Sequence, residues 1–188
     1  TNISKALALI DHVSDRERYL IQGDYYNLVE NNYVKTIEIY QELLGVYPDD
    51  EEGNMILGSI YRNLEEWDLA IEQFEKVLRN NEKYELGFHN LVFIYMAKGM
   101  LDKAMEILQN NQHIFSNQAY FHRLKGHILI CQGKFDLAVL EINEALSLEP
   151  NDFSHKRYLG TIYHIKGDFE TAEQLYKRAL SINKKTLG

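Results

Sequence analysis

Residues 51–84 have the sequence EEGNMILGSIYRNLEEWDLAIEQFEKVLRNNEKY, which predicts two short helices joined by a tight turn. In the first half, Leu57, Ile60 and Tyr61 share one helix face, because residues three or four positions apart lie on the same side. The second half continues with Ala70 and Phe74, which are again one helical turn apart. Such a helix pair cannot cover its own apolar face, so it needs neighbouring pairs.

The chain repeats this pattern at a fixed interval, so that positions i and i + 34 carry similar residues. Pro48 and Pro150, its only prolines, are separated by three of these repeat intervals. An alanine series and an isoleucine series keep the same spacing: Ala70, Ala104, Ala138 and Ala172, and Ile60, Ile94, Ile128 and Ile162. The sequence therefore predicts five repeat units after an N-terminal segment. Their ranges are 1–16 for the segment, and 17–50, 51–84, 85–118, 119–152 and 153–188 for the units.

The turn and the helix crossing each need a particular type of residue. Gly99, Gly133 and Gly167 recur at the same spacing and fit a left-handed backbone just past the end of a helix. The alanines are predicted where the two helices of a unit cross, because a larger side chain there would force the helices apart. Phe74 and Tyr176 follow one turn later and are expected to fill the space beside the alanines.

These features resemble the tetratricopeptide repeat family, whose motif is W-x2-L-G-x2-Y, then A-x3-F, then P. The second unit supplies Leu57, Gly58, Tyr61, Ala70 and Phe74, and the fifth supplies Leu159, Gly160, Tyr163, Ala172 and Tyr176. The first unit departs from the motif at Asp24 and Thr36, and no unit has the motif's tryptophan at its place. The resemblance covers residues 17–184. It implies an all-α fold, a right-handed superhelical solenoid of antiparallel helix pairs, and a scaffold that binds other proteins.

By this resemblance, the first helix of each unit lines a concave groove with its repeat positions 2, 5, 9 and 12. Those positions hold four arginines and one glutamate in a chain of net charge −8, so the groove is expected to be basic. We expect it to bind an extended or helical peptide that carries acidic or carboxylate groups. Arg123 and Arg157 are the predicted carboxylate forks, and Tyr120 and Phe93 the predicted apolar anchors. Some inward positions are expected to pack between helices instead. The predicted groove residues are Tyr25, Met55, Arg62, His89, Phe93, Met96, Tyr120, Arg123, His127, Arg157 and His164.

The N-terminal part carries a second resemblance. The sequences SDRERY (residues 14–19) and GDYY (residues 23–26) are similar to the opening repeat of the helical regions that follow kinase, cyclase or DNA-binding domains in bacterial signalling proteins. Residues 1–13 have apolar residues at helical spacing and are expected to form the second helix of a preceding repeat, or a cap. Because the sequence begins without Met and ends abruptly, we expect it to be the regulatory part of a longer protein.

The composition argues against several other functions. A net charge of −8 would repel a phosphate backbone, and no apolar run approaches the roughly 18 residues of a membrane span, so neither nucleic acid nor membrane insertion is expected. No H-x3-H, H-E-x2-H, G-x-G-x2-G or GK[ST] motif occurs, so we predict no enzyme activity, metal or cofactor. Cys131, the single cysteine, is expected to pack inertly in a half-buried position. The expected compartment is the cytoplasm, with a bacterial periplasm left open.

A structural role is the alternative prediction. The second helix of the fifth unit carries an apolar strip at positions that would receive a following repeat, and only residues 184–188 come after it. Self-association through this C-terminal helix is therefore predicted alongside peptide binding. The strip consists of Leu175, Tyr176, Ala179, Leu180 and Ile182.

Overall fold

Helices form all the regular secondary structure in the part of the chain that the computed structural model describes, residues 2–7 and 10–186. Within this part, the side chains of residues 2, 4, 7, 11 and 182–186 are not described. The chain divides into two compact halves, an N-terminal half of residues 1–94 and a C-terminal half of residues 95–188. The predicted all-α class is confirmed for the described residues.

Among the described residues of the N-terminal half, five helices lie entirely within it. They are α1 (Asn2–Leu7), α2 (Asp15–Leu28), α3 (Tyr33–Val46), α4 (Glu51–Asn63) and α5 (Trp67–Asn80), and a 3-10 turn covers Ile10–His12. The start of α2 is fixed by a reciprocal cap: the Ser14 hydroxyl accepts a hydrogen bond from the Glu17 N–H, and the Glu17 carboxylate accepts one from the Ser14 N–H. This cap starts α2 at Asp15, two residues before Glu17.

A further helix, α6 (Glu85–Ala97), passes from the N-terminal into the C-terminal half. The C-terminal half then contains α7 (Leu101–Asn110), α8 (Gln112–Phe115), α9 (Ala119–Cys131), α10 (Phe135–Leu148), α11 (Phe153–Ile165) and α12 (Phe169–Thr186). After the first helix pair, the chain thus begins a new helix at Glu51, Glu85, Ala119 and Phe153. The division into repeat units by residue number stays a prediction.

The turns within the helix pairs share a left-handed residue. Gly99, Gly133 and Gly167 have φ angles of +71°, +73° and +85°, as predicted. Asn31 and Glu65, with φ angles of +50° and +61°, occupy the same place in the two earlier turns. Such a residue just past a helix end lets the following backbone N–H groups bond to the last helical carbonyls. The turn geometry therefore recurs at every repeat interval, even where glycine does not.

The helices of a pair approach closely where the sequence has small residues. Ala70 and Ala138 have no exposed surface. A Cβ atom added to Gly58 on α4 would lie 2.9 Å from the Phe74 ring on α5, and a Cβ at Gly160 on α11 would lie 2.8 Å from a ring carbon of Tyr176 on α12. Since real Cβ atoms do not come so close, a side chain at either glycine would displace the ring.

Each half has its own apolar core. In the N-terminal half the buried cluster comprises Tyr40, Leu43, Met55, Leu57, Tyr61, Ala70, Phe74, Val77 and Ile94. In the C-terminal half it includes Leu129, Ala138, Ile142, Leu159 and Ile162. Along the described residues, no helix combines the length and the apolar character that crossing a membrane would require.

Candidate functional site

Three predicted groove residues come together on α9 and α11 in the C-terminal half. Arg123 and His127 are one helical turn apart on α9, and Arg157 on α11 lies one repeat interval after Arg123. The ring of Tyr158 lies 5.2 Å from the His127 ring, measured between centroids, and its centroid lies 5.1 Å from Cζ of Arg157. We call Arg123, His127, Arg157 and Tyr158 the arginine face.

The arginine face is positively charged through its guanidinium groups. Burial lowers the pKa of His127, and the charges of Arg123 and Arg157 lower this pKa further, so the imidazole is neutral at neutral pH. Neither guanidinium forms an ion pair with a carboxylate of the described residues. Arg16, by contrast, pairs with Asp50 and Glu52 in the N-terminal half. Arg123 is half-buried and Arg157 is exposed, so both charges can reach a ligand.

The N-terminal half has a concave feature of different chemistry, a depression of about 490 Å³ beside α4. Met55, a predicted groove residue, lines it together with Ile56, although Met55 is only 5% exposed. Glu51 and Glu52 also line the depression, and its lining contains no lysine or arginine. This depression is therefore not basic, because the acidic first turn of α4 borders it.

Two predicted groove residues bond to neighbours within the N-terminal half. Arg62 donates hydrogen bonds to the side-chain oxygens of Asn63 and Asn90. The Tyr25 hydroxyl donates to Glu30 Oε1 over 2.7 Å, and this bond raises the pKa of Tyr25. Repeat position alone could not reveal these partners, because Glu30 and Asn90 lie outside the four inward positions.

The other predicted groove residues are on α6, α9 and α11. On α6, Phe93 is 44% exposed, and His89 and Met96 are half-buried. On α9, Tyr120 is half-buried and packs edge-on against Phe115, with ring centroids 5.9 Å apart. Their use as groove residues stays a prediction.

The C-terminal helix α12 exposes only part of the predicted apolar strip. Ala179 is buried and Leu175 packs against the core of the C-terminal half, whereas Leu180 is 55% exposed. A depression of about 470 Å³ next to Leu180 is lined by Phe169, which is 63% exposed, and by His164, whose ring packs edge-on against it. The side chain of Ile182 lies outside the described residues.

Sequence reasoning missed two features and misjudged a third. Tyr158 follows Arg157 directly but is not at repeat position 2, 5, 9 or 12, so the repeat pattern did not include it among the predicted groove residues. Cys131 is exposed, and the expectation that it packs inertly in a half-buried position is wrong because α9 ends there.

The second missed feature is a cluster of potential metal ligands. Among the described residues, one group of three histidine, cysteine or acidic side chains could hold a metal ion, namely Glu149, Asp152 and His155. One ligand atom from each lies within 4.8 Å of the others. The spacing is E-x2-D-x2-H across the turn between α10 and α11, which differs from the histidine pairs sought in the sequence.

Comparisons with known proteins agree with the helical architecture. A family model described as tetratricopeptide repeat matches residues 36–85 and 123–185. BBSome complex member BBS4 of Bos taurus is 27% identical over 141 residues, which are 75% of this chain and 27% of that protein. Protein O-mannosyl-transferase TMTC1 of Homo sapiens is 26% identical over 169 residues, which are 84% of this chain and 18% of that protein. The chain thus spans less than a third of the length of either relative.

Solved structures share the fold at low sequence identity. A thermophilic tetratricopeptide repeat protein of Thermus thermophilus has a TM-score of 0.71 and 23% identity, covering 92% of this chain and 93% of that one. YrrB, described as a tetratricopeptide repeat protein with an unusual peptide-binding site, has a TM-score of 0.62 and 20% identity, covering 97% and 92%. At these identities the likeness shows the fold alone.

Proposed function

We propose that this chain, which belongs to the tetratricopeptide repeat family, binds a segment of a partner protein through the arginine face. The fold is that of a protein-interaction scaffold. More specifically, we propose that the bound segment carries at least one carboxylate group, which Arg123 and Arg157 bind.

One observation carries this proposal: the two guanidinium groups of the arginine face have no carboxylate partner among the described residues. In the N-terminal half, by contrast, Arg16 pairs with Asp50 and Arg18 pairs with Asp15. A planar guanidinium binds a carboxylate through two parallel hydrogen bonds, and such charge-assisted bonds are stronger than neutral ones. Two of them on adjacent helices would fix both the position and the direction of a bound peptide.

The aromatic surroundings favour a peptide over a free anion. Tyr158 lies under Arg157 and beside His127, so an apolar side chain next to the carboxylate could pack against its ring. His127 is neutral at neutral pH and can donate or accept a hydrogen bond to the peptide backbone. A nucleic acid fits less well, because the chain as a whole carries a net charge of −8.

Two comparisons bear on this proposal. YrrB is described as having a peptide-binding site, which shows that this fold can hold a peptide. The relative named as a transferase matches over only 18% of its own length, so the match concerns a segment of that enzyme. We propose that the present chain is non-catalytic. Its place in a longer regulatory or signalling protein stays a prediction.

An array of short acidic peptides tests the proposal, with each acidic peptide matched by a copy carrying Asn and Gln in place of Asp and Glu. The wild-type chain should prefer the acidic member of each pair. Arg123→Glu combined with Arg157→Glu should weaken that binding by about 10- to 100-fold, the effect of losing charge-assisted hydrogen bonds.

The matched control combines Arg79→Glu with Arg178→Glu, which changes the net charge equally at two exposed arginines outside the arginine face. Circular dichroism should show unchanged helix content in both variants. Equal weakening in the two double variants would mean that net charge attracts the peptides, and the proposed site would be wrong.

A second candidate function is self-association through α12, favoured by the exposed Phe169 and Leu180 beside their depression. Sedimentation at rising protein concentration should then show a dimer in the wild type. Phe169→Glu with Leu180→Glu should abolish it, whereas Leu137→Glu, at an exposed leucine on α10, should not. A strict monomer at every concentration would exclude this function.

A further inference from the structure

The turn between α10 and α11 brings three potential metal ligands together. Glu149 is the residue at the C-terminal cap of α10, Asp152 is the N-terminal cap of α11, and His155 is the third residue of α11. One ligand atom from each lies within 4.8 Å of the others. The backbone of the turn therefore determines where the three side chains lie, because α10 ends at this turn and α11 begins at it.

The imidazole of His155 lacks a partner for one of its nitrogens. His155 is only 1% exposed, and its Nδ1 atom is buried without a hydrogen-bond partner. The closest charged group to it is the Asp152 carboxylate, whose Oδ1 lies 3.9 Å from Nδ1. A buried nitrogen that neither donates nor accepts a hydrogen bond is costly, and a polar partner at this place would remove that cost.

We propose that Glu149, Asp152 and His155 form a binding site for a divalent transition-metal ion such as Zn²⁺. Two carboxylates and one imidazole are all acceptors, so a cation between them supplies the missing positive partner. Imidazole and carboxylate ligands together suit Zn²⁺ and its neighbours in the first transition series. Three protein ligands leave a coordination position for water or for a group on a partner.

The individual side chains can adopt the distances that coordination needs. With bonds of about 2.0 to 2.1 Å, tetrahedral ligands lie about 3.3 to 3.4 Å from one another. Glu149 is exposed, so its side chain can move the remaining distance inward. Asp152 caps α11 by accepting from the Ser154 N–H through Oδ1, over 2.5 Å, and the same oxygen is the one that lies 3.9 Å from His155 Nδ1. A carboxylate has several lone pairs, so Asp152 can keep this cap and also bind an ion.

The protonation state of His155 suits metal binding. Burial is the main cause that lowers its pKa, and the Arg123 charge also lowers it, against the opposing effects of Asp152 and Glu149. The imidazole is therefore neutral at neutral pH, which is the form that coordinates metals. The competing arrangement is a protonated His155 that donates to Asp152 without any ion.

The cluster is particular to this turn and is not a general feature of the repeat. The residues one repeat interval earlier are Phe115, Gln118 and Phe121, and one further interval back they are Asn81, Tyr84 and Gly87. Neither set could bind a metal through side chains in this way. A packing role common to all units would not need the three ligand types here.

Metal binding has a structural consequence for the arginine face. His155 and Arg157 are two residues apart in the first turns of α11. An ion held by Glu149, Asp152 and His155 would tie the end of α10 to the start of α11. It would thereby hold in place the first turns of α11, which carry Arg157.

Isothermal titration of the EDTA-treated chain with Zn²⁺ tests the site. We expect one saturable site, and a thermal midpoint that rises with Zn²⁺. Glu149→Gln and Asp152→Asn should each lower the affinity at least about tenfold, since even residues that only orient metal ligands change affinity by about 10- to 100-fold. Co²⁺ should give a ligand-field absorption spectrum with nitrogen and oxygen ligation in the wild type and lose it in His155→Gln.

Glu144→Gln is the matched control, because Glu144 is exposed on α10 and lies outside the cluster. It should bind Zn²⁺ like the wild type. Circular dichroism without metal should show that Glu149→Gln and Asp152→Asn are folded. The proposal is overturned if the wild type binds no Zn²⁺. It is also overturned if these two variants bind Zn²⁺ as tightly as the wild type, since the ion would then be bound by other residues.

Discussion

The first two helix pairs reach the same arrangement with different chemistry. In α4 and α5, Gly58 admits the ring of Phe74, and Ala70 is fully buried. In α2 and α3, the residues one repeat interval earlier are Asp24, Tyr40 and Thr36. Thr36 and Tyr40 are as fully buried as Ala70 and Phe74, with no exposed surface. The pair that departs from the repeat motif is therefore packed as closely as the pair that obeys it.

Hydrogen bonds make the polar version possible. The Tyr40 hydroxyl donates to Asp24 Oδ1 over 2.9 Å, and the Thr36 hydroxyl donates to the Asn32 carbonyl over 2.9 Å. Burial raises the pKa of Tyr40, and Asp24 raises it further, so the hydroxyl stays a donor. In this pair, the glycine that lies against the aromatic ring is Gly23, one residue before Asp24. The comparison shows that a motif position can change its chemistry when both polar groups gain a partner.

The largest expected effect comes from removing the ring in either pair. Phe74→Ala and Tyr40→Ala should each lower the free energy of unfolding by about 3 to 5 kcal/mol, because each leaves a cavity in a core that is fully buried. Urea denaturation followed by circular dichroism measures both. Phe93→Ala, at a ring that is 44% exposed, is the control and should change stability by about 0.5 kcal/mol or less. A small loss at Tyr40 alone would show that the first pair is loosely packed after all.

A smaller effect is expected from adding one methyl group at the close approach. A Cβ at Gly23 would lie 2.5 Å from Cε2 of Tyr40, and one at Gly58 would lie 2.9 Å from Cε1 of Phe74. The hydroxyl bond to Asp24 prevents the Tyr40 ring from retreating, whereas packing alone holds Phe74. Gly23→Ala should therefore cost about 1 to 2 kcal/mol, and Gly58→Ala less, since alanine also favours the helix.

Thermal melts of the two alanine variants, run side by side, check this order. If Gly58→Ala proved the more harmful, the tether between Tyr40 and Asp24 would not be what makes the first pair rigid.

The sequence was a good guide to the fold because the fold is local and periodic. The repeat interval predicted the helix pairs, the crossing alanines and the left-handed Gly99, Gly133 and Gly167. The residue types gave no sign of the left-handed Asn31 and Glu65, because asparagine and glutamate tolerate that conformation without requiring it. Asp24 and Thr36 departed from the motif for a related reason: a motif records residue types, whereas packing depends on the hydrogen-bond partners of each side chain.

The sequence was a weaker guide to the candidate site. Repeat positions did bring Arg123, His127 and Arg157 together, because equal positions on successive first helices face the same way. They could not show that Arg62 bonds to Asn90, nor that Met55 is almost completely buried. These outcomes depend on contacts between side chains from different elements, which a spacing rule does not contain.

The smallest expected effect isolates the hydrogen bond that distinguishes the two pairs. Tyr40→Phe removes only the hydroxyl and should cost about 0.5 to 1.5 kcal/mol in the wild type, because the bond to Asp24 is lost. In an Asp24→Gly background the same change should cost almost nothing, since the buried hydroxyl has already lost its acceptor. Asp24→Gly also weakens the helix, but that penalty is present in both backgrounds and cancels in the double-mutant cycle. Urea denaturation of the four proteins gives the coupling energy, which should be about 1 kcal/mol. An equal cost of Tyr40→Phe in both backgrounds would mean that the bond adds nothing, and that Tyr40 is held by packing alone, as Phe74 is.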